Sequence, residues 1–197
     1  MACYENTKSD TTNYDDGSER KYMGDSLMDK AVLVVGYLMK YGGYTKFQAA
    51  AMAGVAAQES GFKTYAKNPS TDAVGLYQWI PDYHKYLFQC AGWPLNTVIS
   101  KLSLEEQVKL ECDFLKSNCY SKVNILLKST GNLKDACCVF GSFNVVPGKL
   151  QNLTGFKRVP TQTEAGDMLK RAGFKNGNEA WNAYWSYCKQ VWSKVNN

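Results

Sequence analysis

Long apolar runs and metal-binding or nucleotide-binding motifs are scarce in this sequence of 197 residues. The longest apolar run, residues 31–39, has about nine residues, whereas a helix that crosses a bilayer needs roughly 20. The first 20 residues have neither the basic start nor the apolar centre of a secretory signal. No C-x-x-C pair, H-E-x-x-H, P-loop or EF-hand motif occurs. We expect a protein made in the cytoplasm without a signal peptide, with no membrane span, metal site or cofactor.

Histidine is limited to His84, which lies between Tyr83 and Lys85. A cysteine peptidase would have to use this residue as the base that activates its nucleophile. The polar and charged neighbours are typical of an exposed position. A peptidase that uses His84 is therefore a weak alternative.

Seven cysteines are present, an odd number that cannot pair completely within one chain. Four of them, Cys112, Cys119, Cys137 and Cys138, lie in apolar stretches of helical character. Free cysteine in such surroundings behaves as a small buried hydrophobic residue. We expect these cysteines to be reduced and buried, which fits synthesis in a reducing cytoplasm.

The charge balance is mildly basic, with 23 Lys and Arg against 18 Asp and Glu. An excess of +5 fits an anionic polymer, either a cell-wall glycan or a nucleic acid. The basic residues of the C-terminal part, such as Lys149, Arg158 and Lys170, are scattered rather than arranged in a stripe. Because this spacing favours a solvated face, no nucleic-acid partner is expected.

Apolar residues recur at helical spacing through most of the chain, which predicts a mostly α fold in one compact domain. The predicted helices cover residues 26–41, 46–60, 81–89, 104–116, 122–127, 133–143, 164–172 and 179–195. Two begin with capping boxes, Thr45 with Gln48 and Ser103 with Glu106. The aromatic stripe of the last helix is expected to pack in the core. Residues 1–24 are polar and predict a flexible N-terminal segment.

Glu59 is the strongest candidate for chemistry. It lies in the last turn of a predicted helix that is otherwise almost uncharged and rich in alanine. Apolar surroundings and the negative end of the helix dipole both favour the protonated carboxyl group. A carboxylic acid that keeps its proton near neutral pH is what a glycosidase uses to protonate a leaving sugar oxygen. The alternative is an exposed glutamate on the solvated side of the helix.

The residues after Glu59 resemble a known signature. The segment 58–62, Q-E-S-G-F, is followed by Ala66, Ser70, the run 73–78, A-V-G-L-Y-Q, and Pro81. This order is similar to the ES-x-F … G-L-x-Q pattern of the superfamily of lytic transglycosylases and goose-type lysozymes. The form G-L-Y-Q-W is similar to phage tail lysozyme domains. A looser block at 142–149 resembles the A-Y-N-A-G-P-G block of transglycosylases, so the resemblance covers residues 45–150.

The resemblance implies an α+β, lysozyme-like catalytic domain over residues 25–197, with a small loop or β-hairpin region after the helix of Glu59 and a helical part at 151–197. It implies cleavage of the β-1,4 bond between N-acetylmuramic acid and N-acetylglucosamine, with Glu59 as the general acid. Phe143 stands where transglycosylases have a tyrosine. The residues implied in substrate binding are Ser60, Gly75, Tyr77, Gln78, Phe143 and Asn144.

The sequence does not identify which residue supplies the second carboxylate of the reaction. Asp72 is the first candidate and Asp82 the next; either could hold a water or act as nucleophile. Lytic transglycosylases need no second acid, because the 6-hydroxyl of the substrate closes a 1,6-anhydro ring. A non-catalytic cell-wall-binding or virion module is a further alternative.

The expected partners are peptidoglycan strands and other virion or tail proteins of a phage. The expected site of action is the cell wall, either as a virion component or as an endolysin released through a holin.

Overall fold

The computed structural model describes residues 24–170 and 174–196, together with the backbone of residues 11–13 and 19–21. The two backbone segments are strands β1 (Thr11–Asn13) and β2 (Glu19–Lys21), which pair antiparallel with Thr11 opposite Lys21. Most of the N-terminal segment predicted to be flexible, residues 1–24, lies outside the described residues.

The described domain is built from nine α-helices, which confirms the mostly α fold class. In chain order they are α1 (Asp25–Tyr37), α2 (Lys46–Ser60), α3 (His84–Ala91), α4 (Leu104–Lys116), α5 (Ser121–Lys128), α6 (Leu133–Val145), α7 (Pro147–Thr154), α8 (Gln162–Leu169) and α9 (Gly177–Asn196). A π-helical turn, Leu38–Gly42, extends α1, and short 3-10 turns cover Pro81–Tyr83 and Ile99–Lys101. None of the described helices is long and apolar enough to cross a membrane.

Helix α2 is the centre of the domain and begins and ends where the sequence predicts. The Thr45–Gln48 capping box starts it, and Gly61, at φ 58°, ends it in the left-handed conformation that glycine adopts without strain. Nearly all of its side chains are buried, and α1, α6 and α9 pack around it. The small residues allow this close packing, since a Cβ on Gly54 would lie 2.5 Å from the Cα of Cys188 in α9.

The aromatic stripe of α9 packs in the core, as predicted. Trp181, Tyr184, Cys188 and Val191 are all buried. A second, smaller apolar cluster forms between α3, α4 and the 3-10 turn of Ile99. The domain therefore has a main core around α2 and a smaller satellite core under the loop that follows α2.

Two features of the backbone differ from the sequence prediction. The β-hairpin allowed for after α2 is not supported: residues 61–80 form turns with two isolated bridges, Lys67 with Val74 and Val74 with Trp79. Three non-glycine residues of this segment have positive φ, which interrupts extended backbone. Helix α7 was not predicted, although Pro147 at its first turn is a residue that suits helix starts.

The cysteine prediction is wrong for Cys119. Its sulfur is bonded to that of Cys90, which links α3 to the turn between α4 and α5. The position is at the surface rather than in an apolar interior, because the helix of Cys112 ends before it. The described free cysteines, Cys112, Cys137, Cys138 and Cys188, are buried as expected.

Candidate functional site

Glu59 lies in the interior at the end of α2. Only 4% of its surface is exposed, although a charged residue is rarely buried to this extent without a partner. The hydroxyl of Tyr184, in α9, donates a hydrogen bond of 2.5 Å to Oε1 of Glu59. The carboxyl group is therefore held in one orientation by a residue far away in the chain.

Ser60 ties the end of α2 to the following loop. Its Oγ lies 2.9 Å from the carbonyl oxygen of Leu76, to which it can donate, and 3.1 Å from that of Ala56. The residue next to Glu59 thus contacts the G-L-Y-Q segment directly. Ser60 therefore orients the loop relative to the helix.

Backbone strain is concentrated in this loop. Phe62, Asp72 and Gln78 have φ values of 58°, 55° and 55°. Left-handed conformations in residues other than glycine cost on the order of 1–3 kcal/mol each, and they cluster at binding and catalytic sites. The surrounding hydrogen bonds hold the loop in a shape that its own sequence would not favour.

Close packing against α4 explains why residue 75 is a glycine. Its φ is +84°, and a Cβ there would lie 2.7 Å from Oε1 of Gln107 and 2.8 Å from Cγ2 of Ile99. That same Oε1 accepts the backbone N–H of Leu76 at 2.7 Å. The missing side chain therefore allows the loop to approach the buried amide of Gln107.

Gln78 uses its amide group inside the loop. Nε2 donates to the carbonyl oxygens of Gly75, at 2.9 Å, and Ala66, at 3.2 Å. These two bonds occupy both amide hydrogens and fix the side chain, which is partly exposed. The remaining group, the amide oxygen, can accept a hydrogen bond from a ligand.

A comparison with known protein families matches residues 29–145 to the family described as phage tail lysozyme. The chain belongs to the phage tail lysozyme family. The matched segment contains Glu59 and the whole loop, and it ends before α9. Neither a curated protein nor a solved structure shows significant similarity to the chain.

Membership of the phage tail lysozyme family means that this is a peptidoglycan-cleaving enzyme that acts on the bacterial cell wall. Within the part of the chain that the structure describes, no three His, Cys, Asp or Glu side chains come together as a metal site. The site that the structure does define consists of the carboxyl group of Glu59 and the polar groups of the loop after α2.

Three of the predicted substrate-binding residues, Tyr77, Phe143 and Asn144, have limited exposure. Tyr77 is 2% exposed and packs edge-on against Phe140. Phe143 is 4% exposed, and its ring meets that of Tyr120. Asn144 is partly exposed and its Nδ2 donates to the carbonyl oxygen of Tyr77 at 3.4 Å. Asn144 therefore braces the residue that precedes Gln78.

The two candidate second carboxylates are both at the surface. Asp72 forms an ion pair with Lys67, with 2.8 Å between Oδ1 and Nζ, and its side chain is 64% exposed. Asp82 is exposed in the 3-10 turn before α3. Neither lies in an interior comparable to that of Glu59.

His84 is partly buried, and its Nε2 lies 3.0 Å from the carbonyl oxygen of Trp79. The free cysteines among the described residues are buried. Burial raises the pKa of the Cys112 thiol to about 12 and that of the Cys138 thiol well above its ordinary value. Such thiols are poor nucleophiles, so a peptidase site finds no support.

Sequence reasoning missed the partners that fix the site. The helical spacing of Tyr184 assigned it to the core, but spacing does not reveal which group its hydroxyl bonds to. Gln107 and Glu111 are 0% and 2% exposed. Polar residues on the apolar face of a predicted helix were the signal that could have identified them.

Proposed function

We propose that this chain is a glycosidase that cleaves the β-1,4 bond between N-acetylmuramic acid and N-acetylglucosamine, with Glu59 as the general acid. The observation that supports it is the buried carboxyl group of Glu59, hydrogen-bonded to Tyr184. Its neighbour Ser60 anchors the loop that carries Gln78. An acid held in one orientation beside a fixed polar loop suits proton donation to a leaving sugar oxygen.

The loop supplies recognition in this proposal. The amide oxygen of Gln78 accepts a hydrogen bond from a sugar hydroxyl or from the N–H of an N-acetyl group. The bonds from Nε2 to Gly75 and Ala66 fix the side chain before the substrate arrives, which reduces the entropy lost on binding. Asn144, through Tyr77, supports the same segment from α6.

The test is the loss of turbidity of purified cell walls. Glu59→Gln keeps the size of the side chain but removes the proton donor, and we expect clearing to slow by roughly 10²–10⁴-fold. Glu105→Gln, which changes a carboxylate on the surface of α4, is the matched control and should clear at the wild-type rate. Equal clearing by Glu59→Gln and wild type would overturn the assignment of Glu59.

A lytic transglycosylase is the second candidate, and the position of Asp72 favours it. A carboxylate that is exposed and paired with Lys67 is poorly placed to hold a catalytic water. In the transglycosylase reaction Glu59 gives its proton to the glycosidic oxygen as the bond from C1 to that oxygen breaks. The 6-hydroxyl oxygen of N-acetylmuramic acid bonds to its own C1 and passes its proton to the Glu59 carboxylate, so that no second carboxylate is required. In the hydrolase reaction Asp72 leaves Lys67 and acts as the second carboxylate.

Mass spectrometry of the released muropeptides separates the candidates. Reducing N-acetylmuramic acid ends identify the hydrolase, and 1,6-anhydro ends identify the transglycosylase. Asp72→Asn should abolish the first reaction and leave the second. If wild type binds walls without producing either end, the chain is a wall-binding module of a virion, and Glu59→Gln changes only the affinity.

The place of action within the phage cycle is a further part of the proposal. As a virion component the protein would open the wall during entry, together with other tail proteins; as an endolysin it would act after release through a holin. Detection of the chain in purified virions by mass spectrometry supports entry, and its absence there supports release.

A further inference from the structure

Two buried side chains of α4 hold the G-L-Y-Q-W segment. Gln107 and Glu111 are one helical turn apart and therefore lie on the same face. Gln107 accepts the N–H of Leu76, and Oε2 of Glu111 accepts the indole N–H of Trp79 at 3.2 Å. Both ends of the four residues 76–79 are thus tied to α4, with Gln78 between the two bonds.

Glu111 is an acid that the proposed reaction does not use. It is 2% exposed, and burial raises its pKa to about 8, while the bond from Trp79 acts in the opposite direction. Among the described residues, the titratable groups that interact electrostatically with it are Tyr44, Tyr77, Cys112 and Tyr120.

Those neighbours remain neutral through the physiological range. Burial raises the pKa of Cys112 and of Tyr120 to about 12 each. It raises the pKa of Tyr44 and of Tyr77 well above their ordinary values as well. Of this group, Glu111 is therefore the member whose charge changes between pH 6 and pH 10.

The hydroxyl of Tyr77 makes this change relevant to the loop. It is buried and has no hydrogen-bond partner among the described residues. A buried carboxylate needs more donors than the single indole N–H of Trp79. When Glu111 loses its proton, its charge attracts the Tyr77 hydroxyl or water, and Tyr77 directly precedes Gln78.

We propose that Glu111 is a positioning residue: its neutral carboxyl group fixes Trp79, and with it Gln78, in the geometry that receives the glycan, and its ionisation loosens that loop at alkaline pH. The proposal rests on the proposed function, because it assigns Gln78 to glycan recognition. Glu111 acts on the substrate only through Trp79 and the loop.

The first test compares three proteins across pH 5.5–9.5 with soluble glycan strands. Wild type should show a rise in KM above about pH 8, whereas Glu111→Gln should keep its KM, because its amide oxygen still accepts from Trp79 and carries no charge. At pH 6 the two should agree within about threefold. Glu111→Leu removes the bond at every pH and should raise KM roughly tenfold with a smaller change in kcat.

A second measurement needs no turnover. The indole N–H resonance of Trp79 should shift with a midpoint near pH 8 in wild type and stay constant in Glu111→Gln. The stability of the folded protein should also decrease as the pH rises. The folded-state pKa is raised from 4.5 to about 8, so the stabilisation is fully present below pH 4.5 and is lost as the pH rises to about 8. The free energy of unfolding of Glu111→Gln should lack this decline.

Failure of this proposal differs from failure of the proposed function. If the KM of wild type and that of Glu111→Gln rise at the same pH, or if the Trp79 resonance does not titrate, Glu111 has no positioning role. If wild type cleaves no glycan at all, the proposed function is wrong, and wall binding then decides the case. Binding that weakens at pH 9 for wild type but not for Glu111→Gln supports positioning, and equal binding overturns it.

Discussion

The hydroxyl of Tyr184 donates a hydrogen bond of 2.5 Å to Glu59, although 125 residues separate them in the chain. The family match ends at Val145, so this donor comes from a part of the chain that the match does not include. The close packing of α2 and α9 brings the two side chains together. The orientation of the acid therefore depends on the C-terminal helix as much as on α2.

Removal of the Tyr184 hydroxyl should reduce catalysis more than stability. A hydrogen bond between neutral groups is worth about 0.5–1.5 kcal/mol, and Tyr184→Phe should therefore lower kcat by roughly 2–12-fold while KM changes little. The control is Tyr37→Phe, which removes a hydroxyl from a partly buried tyrosine of α1. Initial rates on purified walls measure both variants. A Tyr184→Phe enzyme with wild-type kcat would contradict the role of this bond.

Gly54 is expected to tolerate no side chain. A Cβ there would meet the backbone of Cys188 at 2.5 Å, so α2 and α9 would have to separate. Gly54→Ala should cost about 1–3 kcal/mol, which corresponds to a fall in Tm of a few degrees. It should also lower activity, because Tyr184 moves with α9.

The matched control for Gly54 is Gly36, which lies in α1 and has no atom within 4 Å of the position that a Cβ would take. Gly36→Ala should raise stability by about 0.5–1 kcal/mol, since alanine favours a helix more than glycine does. Thermal unfolding followed by circular dichroism compares the two. Equal effects of both substitutions would mean that α2 and α9 can separate at little cost.

Gly75 and Gly92 separate backbone strain from packing. Both have positive φ, +84° and +72°, but a Cβ on Gly75 would collide with Gln107 and Ile99, whereas one on Gly92 would meet nothing within 4 Å. Gly92→Ala should cost about 1–2 kcal/mol from the left-handed conformation alone. Gly75→Ala should cost more and should also reduce activity, since it displaces the loop of Gln78. Urea unfolding and wall clearing measure the two effects, and similar results for both variants would contradict the packing argument.

The bond between Cys90 and Cys119 is expected to stabilise the satellite core. It spans 29 residues of sequence, and a link of this kind typically adds about 2–4 kcal/mol. Cys90→Ser should lower the urea midpoint accordingly. Dithiothreitol should lower the midpoint of wild type to the same value and leave that of Cys90→Ser unchanged. A reductant that affects neither protein would show that the two cysteines are not linked in solution.

The sequence predicted helices well where local signals are strong. The bounds of α2 and α4 agree with the prediction, because capping boxes at Thr45 and Ser103 mark their starts and glycine or a change of pattern marks their ends. Burial of the α9 aromatics also followed from spacing alone. These properties depend on residues that are close together in the sequence, so a local sequence pattern can predict them.

The parts that the sequence did not predict depend on distant residues. The disulfide of Cys119 with Cys90 follows from where α3 passes, and the hydrogen bond from Tyr184 to Glu59 follows from how α9 crosses α2. The position of Gly75 is explained by Gln107, 32 residues later. Local pattern singled out Glu59 and the loop after it as candidates, whereas the contacts that orient them required the three-dimensional structure.

The close crossing at Gly54 also sets a limit on how far this enzyme could be shortened. A fragment that stopped at residue 145 would retain Glu59 and the loop of Gln78, yet one side of the alanine-rich helix α2 would be exposed to solvent. Anyone who exchanges catalytic modules between related chains would therefore need to transfer residues 177–196 together with that helix, as a single matched pair.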